Sequence, residues 1–269
     1  MSKKRVLFVA QEIMPYLPES HMSKIGRFLP QKIQESGKEI RVFMPRFGVV
    51  NERRNQLHEV IRLSGMNLII EEIDHPLIIK VASIQQARMQ VYFIENEDYF
   101  HRKFVFRDKK NKFFKDNDER ALFFSRGVLE TVKKLGWAPD IIHLHGWFTG
   151  LIPLYIKTLF KDNPLFSDAK VIISLYNDGF EEKFSENFDK KIKMKEIPEE
   201  MVKKYKNAGY ISFMKAAIDN ADAFIIGEET VNEELLAYAK ETKKPVLDYQ
   251  GDENYFKAFN QFYDQIIEE

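Results

Sequence analysis

The sequence predicts a three-layer α/β domain built on a doubly wound parallel sheet. Short β-branched runs alternate with segments of helical periodicity, which is the pattern of successive β–α units. Several runs are nearly continuously apolar, as expected for parallel strands that are buried on both faces. The chain has 269 residues, enough for one large domain or two small ones. Because no repeat or low-complexity tract divides it, we interpret residues 1–269 as one domain.

Eight segments carry the strand pattern: residues 6–10, 39–44, 77–84, 89–94, 140–145, 170–176, 223–227 and 245–249. The stretch from residue 58 to residue 94 interrupts the alternation of strands and helices. It contains strand signals but no helix of useful length. We therefore expect residues 58–94 to form a β-hairpin insertion beside the parallel core.

Helical periodicity occupies five segments between the strands: residues 21–35, 117–135, 149–160, 210–220 and 231–240. Two charged segments, residues 105–114 and 181–199, are predicted to be mobile loops. After Gly251 and Asp252, apolar side chains repeat at helical spacing from Tyr255 to Ile267, and such a stripe needs a surface to bury against. Residues 245–269 are therefore interpreted as a strand and a helix that return to the body of the domain.

Composition argues against several classes of function. Lys plus Arg and Asp plus Glu are 41 each, and this neutrality disfavours non-specific nucleic-acid binding. Without cysteine there is no thiol nucleophile and no thiolate metal site. No GxGxxG or GxxxxGK[ST] motif occurs, which disfavours a P-loop enzyme. The basic start, MSKKR, precedes only five apolar residues, too few for a signal peptide or a membrane span, so we expect a cytoplasmic protein.

Four ordered blocks carry a family resemblance. The opening reads RVLFVAQEIMPY…IGRFLPQKIQESGKEIRVFMPRFG, and DYFHR with Arg102 and DNDER with Asp116 and Arg120 follow it. The longest block is LGWAPDIIHLHGWFTGLIP, from Leu135 to Pro153. Together these blocks resemble the glycogen and starch synthases, glycosyltransferase family 5. The resemblance covers about residues 4–230.

The resemblance implies a GT-B fold, in which two Rossmann-like domains face each other across a cleft and ADP-glucose is held mainly by the C-terminal one. The implied reaction moves glucose from ADP-glucose to the 4-OH end of an α-1,4-glucan with retention of configuration, and it needs no metal or cofactor. From its length, we expect this chain to hold the N-terminal, Rossmann-like half of that fold. Its aromatic C-terminal helix then matches the GT-B helix that returns to the N-terminal domain.

By the same resemblance, catalysis is assigned to Asp116, and substrate binding is assigned to Glu12, His145, Trp147, Thr149 and Asn177. Plainer interpretations remain open for several of them. Asp116 precedes a predicted helix, so it could be an N-cap or a solvated side chain. His143 and His145 could begin a zinc site, but no third ligand is evident, which favours a hydrogen-bonded structural role. Trp147 could stack on a sugar or pack against the insertion.

Departures from the family pattern affect the donor side of the site. Pro18-Glu19-Ser20-His21 stands where the family has Lys-Thr-Gly-Gly. The proline removes an amide donor, and Glu19 places a negative charge where a diphosphate would bind. Gly146, Phe148 and Tyr176 replace the family's aspartate, its second histidine and the histidine of its His-Asn pair. We expect ADP-glucose to bind weakly or not at all.

Two functions therefore stay open. The first is a glycogen/starch-synthase-like glucosyltransferase domain that is inactive as an isolated chain. The second is a non-catalytic protein that binds glucan or modulates a full-length synthase or another second chain. Candidate ligands are α-glucan and ADP-glucose, and we expect no metal, cofactor, nucleic acid or membrane as a partner.

Overall fold

The computed structural model describes residues 3–253 and 255–268, and these form a mixed α/β structure. The described strands are β1 (Arg5–Ala10), β2 (Glu39–Pro45), β3 (His58–Glu59), β4 (Met66–Ile70), β5 (Ile73–Ile84), β6 (Met89–Glu95), β7 (Ile141–His145), β8 (Lys170–Leu175), β9 (Ala223–Ile226) and β10 (Val246–Leu247). The described α-helices are α1 (His21–Glu35), α2 (Glu52–Asn55), α3 (Glu97–Phe100), α4 (Asn117–Leu135), α5 (Ile152–Lys157), α6 (Phe188–Ile192), α7 (Glu199–Lys203), α8 (Tyr210–Asn220), α9 (Glu233–Glu241) and α10 (Tyr255–Glu268).

The strands form one sheet in the order β10-β9-β8-β7-β1-β2-β6-β5-β3, and β4 pairs with β5 off this path. All neighbours from β10 to β6 are parallel. At the centre, Val6 of β1 lies between Ile40 of β2 and Ile141 of β7. Because the order of strands reverses at β1, the carboxyl ends of β1 and its neighbours meet where doubly wound folds bind ligands. The predicted doubly wound α/β fold class is confirmed.

The β insertion seen in the structure is smaller than the one predicted for residues 58–94. β6 is parallel to β2, with Val91 opposite Val42, so β6 belongs to the parallel core. β5 pairs antiparallel with β6, and β3 and β4 both pair with β5. The insertion therefore consists of β3, β4 and β5 and widens the sheet at one side. β5 and β6 form a hairpin joined by a short 3-10 turn, Gln85–Ala87. Because the two strands are joined so closely, the sequence does not show that the insertion ends before β6.

Two further segments differ from their predicted structure. The helix expected over residues 149–160 is a 3-10 turn, Trp147–Thr149, followed by the short helix α5. The loop expected over residues 181–199 contains α6, and its Phe184, Phe188 and Ile192 are buried. Charged residues surround these apolar side chains in the sequence and hide their helical spacing. Residues 105–114 lie beside this segment, because Arg107 forms a bidentate ion pair with Glu182 at 2.6 and 2.7 Å.

The C-terminal part of the chain packs on the rest of the sheet. β10 pairs parallel with β9, and α10 buries Phe259, Phe262, Tyr263 and Ile266. These four residues recur at helical spacing, so they form one face of α10. The helices of the described residues include none with the length and apolar character needed to cross a membrane.

Candidate functional site

The candidate site lies at the carboxyl edge of the parallel sheet. Polar and aromatic residues follow four neighbouring strands there: Gln11 and Glu12 after β1, Gly146 and Trp147 after β7, Tyr176, Asn177 and Asp178 after β8, and Gly227 and Glu228 after β9. The N-terminus of α1 lies over the same edge, because Nε2 of His21 is 2.8 Å from the carbonyl oxygen of Gly227. Parallel strands that end together thus bring five of the six predicted site residues to one edge. These five are Glu12, His145, Trp147, Thr149 and Asn177.

Glu12 is bound to the first turn of α1. The Ser20 hydroxyl is the N-cap of this helix, and it accepts the Ser23 amide at 3.0 Å while it donates to Glu12 at 2.6 Å. Glu19 forms an ion pair with Lys24 at 2.6 Å. Gly26 lets α1 approach closely, since a Cβ there would lie 2.7 Å from the carbonyl oxygen of Glu12. A carboxylate and a capping hydroxyl therefore occupy the helix N-terminus, which would otherwise favour an anion.

His143 and His145 lie at the end of β7 and are both buried. Nδ1 of His143 is 2.6 Å from the Tyr263 hydroxyl, and its Nε2 is 2.7 Å from the Ser174 hydroxyl. Nδ1 of His145 is 2.8 Å from the hydroxyl of Tyr176. Burial lowers the pKa of His145 to about 3, and burial and the neighbouring His145 lower the pKa of His143. Within the described part of the chain neither histidine joins a group of three potential metal ligands, and both are held by hydrogen bonds in the interior.

Trp147 lies in an aromatic cluster rather than on an open sugar platform. Its side chain is only 2% exposed, and its ring centroid is 4.9 Å from those of Phe106 and Phe180. These partners come from the segments at residues 105–114 and 180–188, not from the β insertion. Thr149 is also buried, and its hydroxyl donates to the carbonyl oxygen of Gly146 at 2.8 Å. In this conformation the Trp147 ring is covered by protein.

In the turn after β7, two residues that differ from the family pattern, Gly146 and Phe148, fit the packing around them. Gly146 has φ +87°, and a Cβ there would lie 2.3 Å from the side chain of Gln11. The Gln11 side chain instead accepts the Phe148 amide at 3.2 Å. The Phe148 ring is buried, stacked on Phe124 with ring centroids 5.6 Å apart. Neither an aspartate at position 146 nor a solvent-facing histidine at position 148 is compatible with this packing.

Asp116 occupies the N-cap position of α4, but its side chain makes no capping hydrogen bond. Instead, Nη1 of Arg102 donates to one carboxylate oxygen at 2.7 Å, and Nη2 of Arg102 donates to the other. Burial acts to raise the pKa of Asp116, but the hydrogen bonds and charge of Arg102 and the charge of Arg120 hold that pKa below its ordinary value. Asp116 is therefore an ionised, half-buried group that links two of the sequence blocks. The next residue, Asn117, donates to the carbonyl oxygen of Phe106 at 2.9 Å, and the Phe106 ring packs on Trp147.

Asp178 is a site residue that the sequence analysis missed. It follows Asn177, and its carboxylate accepts hydrogen bonds from the Trp147 amide at 2.7 Å and the Tyr210 hydroxyl at 2.8 Å. Burial, with a smaller contribution from the charge of Glu12, raises the pKa of Asp178 to about 6 against these hydrogen bonds. Asn177 itself is exposed, and its backbone amide donates to the Glu228 carboxylate at 2.9 Å. The signal available in the sequence was the position of Asp178 just beyond a buried strand.

One group of residues has the composition of a metal site. Ligand atoms of Glu52, Glu95 and His101 lie within 4.8 Å of one another. Lys80 is 2.8 Å from both carboxylates, and Arg46 is ion-paired with both as well. Because two cations already neutralise the two carboxylates, this arrangement is an ion-pair network and does not favour a metal ion.

Comparisons with known proteins agree with this geometry. The family model for the starch synthase catalytic domain matches residues 5–248. The glycogen synthase of Chlorobium limicola is 40% identical over 174 residues, which cover 64% of this chain and 36% of the relative. That of Chlorobium luteolum is 33% identical over 233 residues, which cover 86% of this chain and 47% of the relative.

Among solved structures, the catalytic domain of starch synthase IV from Arabidopsis thaliana, bound to ADP and acarbose, has the same fold. The TM-score is 0.73 at 16% identity, and the match covers 92% of this chain and 51% of that one. This chain therefore spans about one third to one half of the proteins that it matches. On the family model and the relatives together, the chain belongs to the glycogen and starch synthases of glycosyltransferase family 5.

Proposed function

We propose that this chain is a glycogen/starch-synthase-type domain that binds α-glucan and does not itself transfer glucose from ADP-glucose. The observation that carries the proposal is the N-terminus of α1, where Glu12 accepts the Ser20 hydroxyl at 2.6 Å. A diphosphate approaching this turn meets the carboxylates of Glu12 and Glu19. In the family pattern, a lysine and two glycines stand at this turn.

Charge at this turn matters because the leaving group of the transfer is a diphosphate. Fixed cations and backbone amides that face a developing negative charge are commonly the largest catalytic contribution in such reactions. Here Lys24 is the nearby cation, and its ammonium group lies 2.6 Å from Glu19. The Ser20 hydroxyl already accepts the Ser23 amide. Little positive potential is left for a donor phosphate.

The carboxyl edge of the sheet retains polar groups suited to glucan hydroxyls. Asn177 is exposed at the carboxyl edge, and Glu228 lies beside it. Amide and carboxylate groups of this kind hydrogen-bond sugar hydroxyls without requiring a charged ligand. By family resemblance, Glu12, His145, Trp147, Thr149 and Asn177 remain the proposed substrate-binding residues. A glucan-bound domain of this type is also suited to modulate a full-length synthase on the same polymer.

Two measurements test the proposal. With radiolabelled ADP-glucose and glycogen primer, the purified chain should incorporate no label above a heat-inactivated control. In affinity electrophoresis through glycogen, the chain should be retarded. Asn177→Ala should weaken that retardation, whereas Asn67→Ala, at an exposed position of β4, should not. Turnover at the rate of an ordinary synthase, or migration unaffected by glycogen, would contradict the proposal.

A glucosyltransferase is the second candidate, and one observation favours it. Asp116, which the resemblance assigns to catalysis, is ionised and held by Arg102 at 2.7 Å. If this candidate is correct, incorporation of label will be measurable in the wild-type chain and lost in Asp116→Asn. Calorimetry should then also detect ADP-glucose binding at micromolar affinity, about −8 kcal/mol.

A further inference from the structure

A cavity of about 370 Å³ lies at the amino edge of the sheet, opposite the candidate site. We call it the amino-edge cavity. Its lining comes from the end of α1, the start of β2, and the strands β5 and β6 with the turn that joins them: Gln34, Ile40, Arg41, Ser83, Arg88, Met89, Gln90 and Tyr92. β2 begins at this cavity and ends beside the carboxyl edge, so the sheet itself separates the two sites.

The residues at the bottom of the cavity are buried, and those around its opening are exposed. Ile40, Met89 and Tyr92 are buried, whereas Ser83, Arg88 and Gln90 are exposed. The Tyr92 ring is fixed from behind by Phe43, with the two rings stacked at a centroid distance of 4.9 Å. An apolar floor with polar groups around the opening is the usual construction of a small-molecule site, and the volume lies within the usual range of about 300–1,000 Å³.

Two polar atoms of the lining residues are sealed from solvent without a hydrogen-bond partner among the described residues. They are Nε of Arg41, a donor, and Oε1 of Gln34, an acceptor. Buried polar groups without a partner are rare in folded proteins, and each one is unfavourable unless water or a ligand satisfies it. Both atoms belong to residues that line the cavity, so this part of the lining is polar and not fully satisfied by the protein itself.

The charge of the lining indicates the sign of the charge that a ligand there would carry. Arg41 and Arg88 are both present, and none of the lining residues is acidic. Glu39 is near, 3.9 Å from Nη2 of Arg41, but its carboxylate also accepts the indole of Trp137 and pairs with Arg5. The Arg41 guanidinium also donates to the carbonyl oxygen of Ile40 at 3.0 Å and lies 5.4 Å from the centre of the Trp137 ring. The opening therefore favours an anion.

From these observations we infer that the amino-edge cavity binds a phosphate monoester of a small metabolite. The planar guanidinium groups of Arg41 and Arg88 would hold the phosphate oxygens, since arginine matches phosphate geometry with paired hydrogen bonds. Gln34, Ser83 and Gln90 supply donors and acceptors for the hydroxyls or base of the rest of the ligand. Because the sheet separates the cavity from the carboxyl edge, a ligand bound there does not occupy the candidate site.

Calorimetry on the full chain tests this site with three probes: inorganic phosphate, glucose 1-phosphate and AMP. Arg88→Gln is the principal variant, because Arg88 is exposed and its replacement leaves the core unchanged. Arg62→Gln is the matched control at an exposed arginine outside the cavity. At least one probe should bind, Arg88→Gln should weaken it by about tenfold or more, and Arg62→Gln should change it less than about twofold.

Each outcome decides the proposal. Tighter binding of glucose 1-phosphate or AMP than of inorganic phosphate supports the proposal, whereas equal binding of all three probes shows that only the phosphate group is recognised and would overturn the assignment to an ester. Binding of none of the three probes would overturn the proposal. So would equal weakening by both variants, which indicates a general charge effect, or unchanged binding in Arg88→Gln. Arg41→Gln is a second variant, which should also weaken binding of the probe. The melting temperature of this variant must be measured as well, because the Arg41 guanidinium packs 5.4 Å from the Trp137 ring.

Discussion

The hydrogen bond between Tyr263 and His143 joins the C-terminal helix to the centre of the sheet, and Tyr263→Phe tests its contribution. Both side chains are fully buried, and the hydroxyl lies 2.6 Å from Nδ1 of His143. Nε2 of the same ring is held by Ser174 at 2.7 Å. The substitution therefore leaves one buried ring nitrogen without a partner, while the phenyl ring still fills its volume.

The expected loss of stability follows from that unpaired nitrogen. A buried polar group that loses its partner is destabilising by about 1–3 kcal/mol. For a chain of this size, each kcal/mol lowers the melting temperature by about 2–4 °C. Urea unfolding at pH 7, followed by far-ultraviolet circular dichroism, measures the change in the free energy of unfolding.

Tyr238→Phe provides the matched control. Its hydroxyl donates to Asp219 at 2.7 Å, but the Tyr238 side chain is only half-buried, so water can replace the lost partner. We expect its free energy of unfolding to change by less than about 0.5 kcal/mol. If the two substitutions have equal effects, or if Tyr263→Phe has none, the buried hydrogen bond does not anchor α10 as we argue.

Three further predictions concern the same core and site. Truncation after Gly251 removes α10 and exposes the surface it covers, so the product should be insoluble or melt at a markedly lower temperature in a thermal scan. Burial lowers the pKa of His145 from 6.5 to about 3; stability present above pH 6.5 is therefore lost as the pH falls toward 3, and the pH slope of the urea midpoint should be smaller in His145→Asn. Phe148→His should lower the free energy of unfolding by about 2 kcal/mol or more, because it places a polar ring in an apolar cage; an unchanged denaturation midpoint would contradict this packing.

The elements with uniform local patterns are those that the sequence predicts best. Helices α1 and α4 begin and end at the predicted residues, because Ser20 caps the start of α1, Gly136 ends α4, and apolar periodicity runs through both helices. The strands β1, β7 and β8 lie within one residue of prediction, because most of their residues are apolar and nearly all of them are buried. The residues of β6 are predicted well, but its place in the sheet is not. Its turn to β5 is a local feature, whereas its parallel pairing with β2 is made by residues distant in the chain.

The candidate site shows the same limit. Strand ends and motifs place Glu12, Trp147 and Asn177 at one edge, but they do not predict what each side chain contacts. Of the two aromatic residues that cover Trp147, Phe106 lies in a segment that was predicted to be a loop, and Phe180 immediately precedes the other predicted loop. Asp178 was missed because its hydrogen-bond partner Tyr210 begins a helix far along the chain, so no local pattern joins the two.

The positions of the two tryptophans give each edge of the sheet its own fluorescent reporter. Trp137 lies near the amino edge, with its indole nitrogen bound to Glu39 and the guanidinium of Arg41 5.4 Å from its ring. Trp147 lies at the carboxyl edge, and its backbone amide is bound to Asp178. Because indole emission responds to nearby charge, Trp147→Phe leaves a chain whose indole emission reports on the surroundings of Trp137, which include Glu39 and Arg41. Trp137→Phe leaves one that reports on the carboxyl edge, so a ligand added to each shows by its spectrum which edge it occupies.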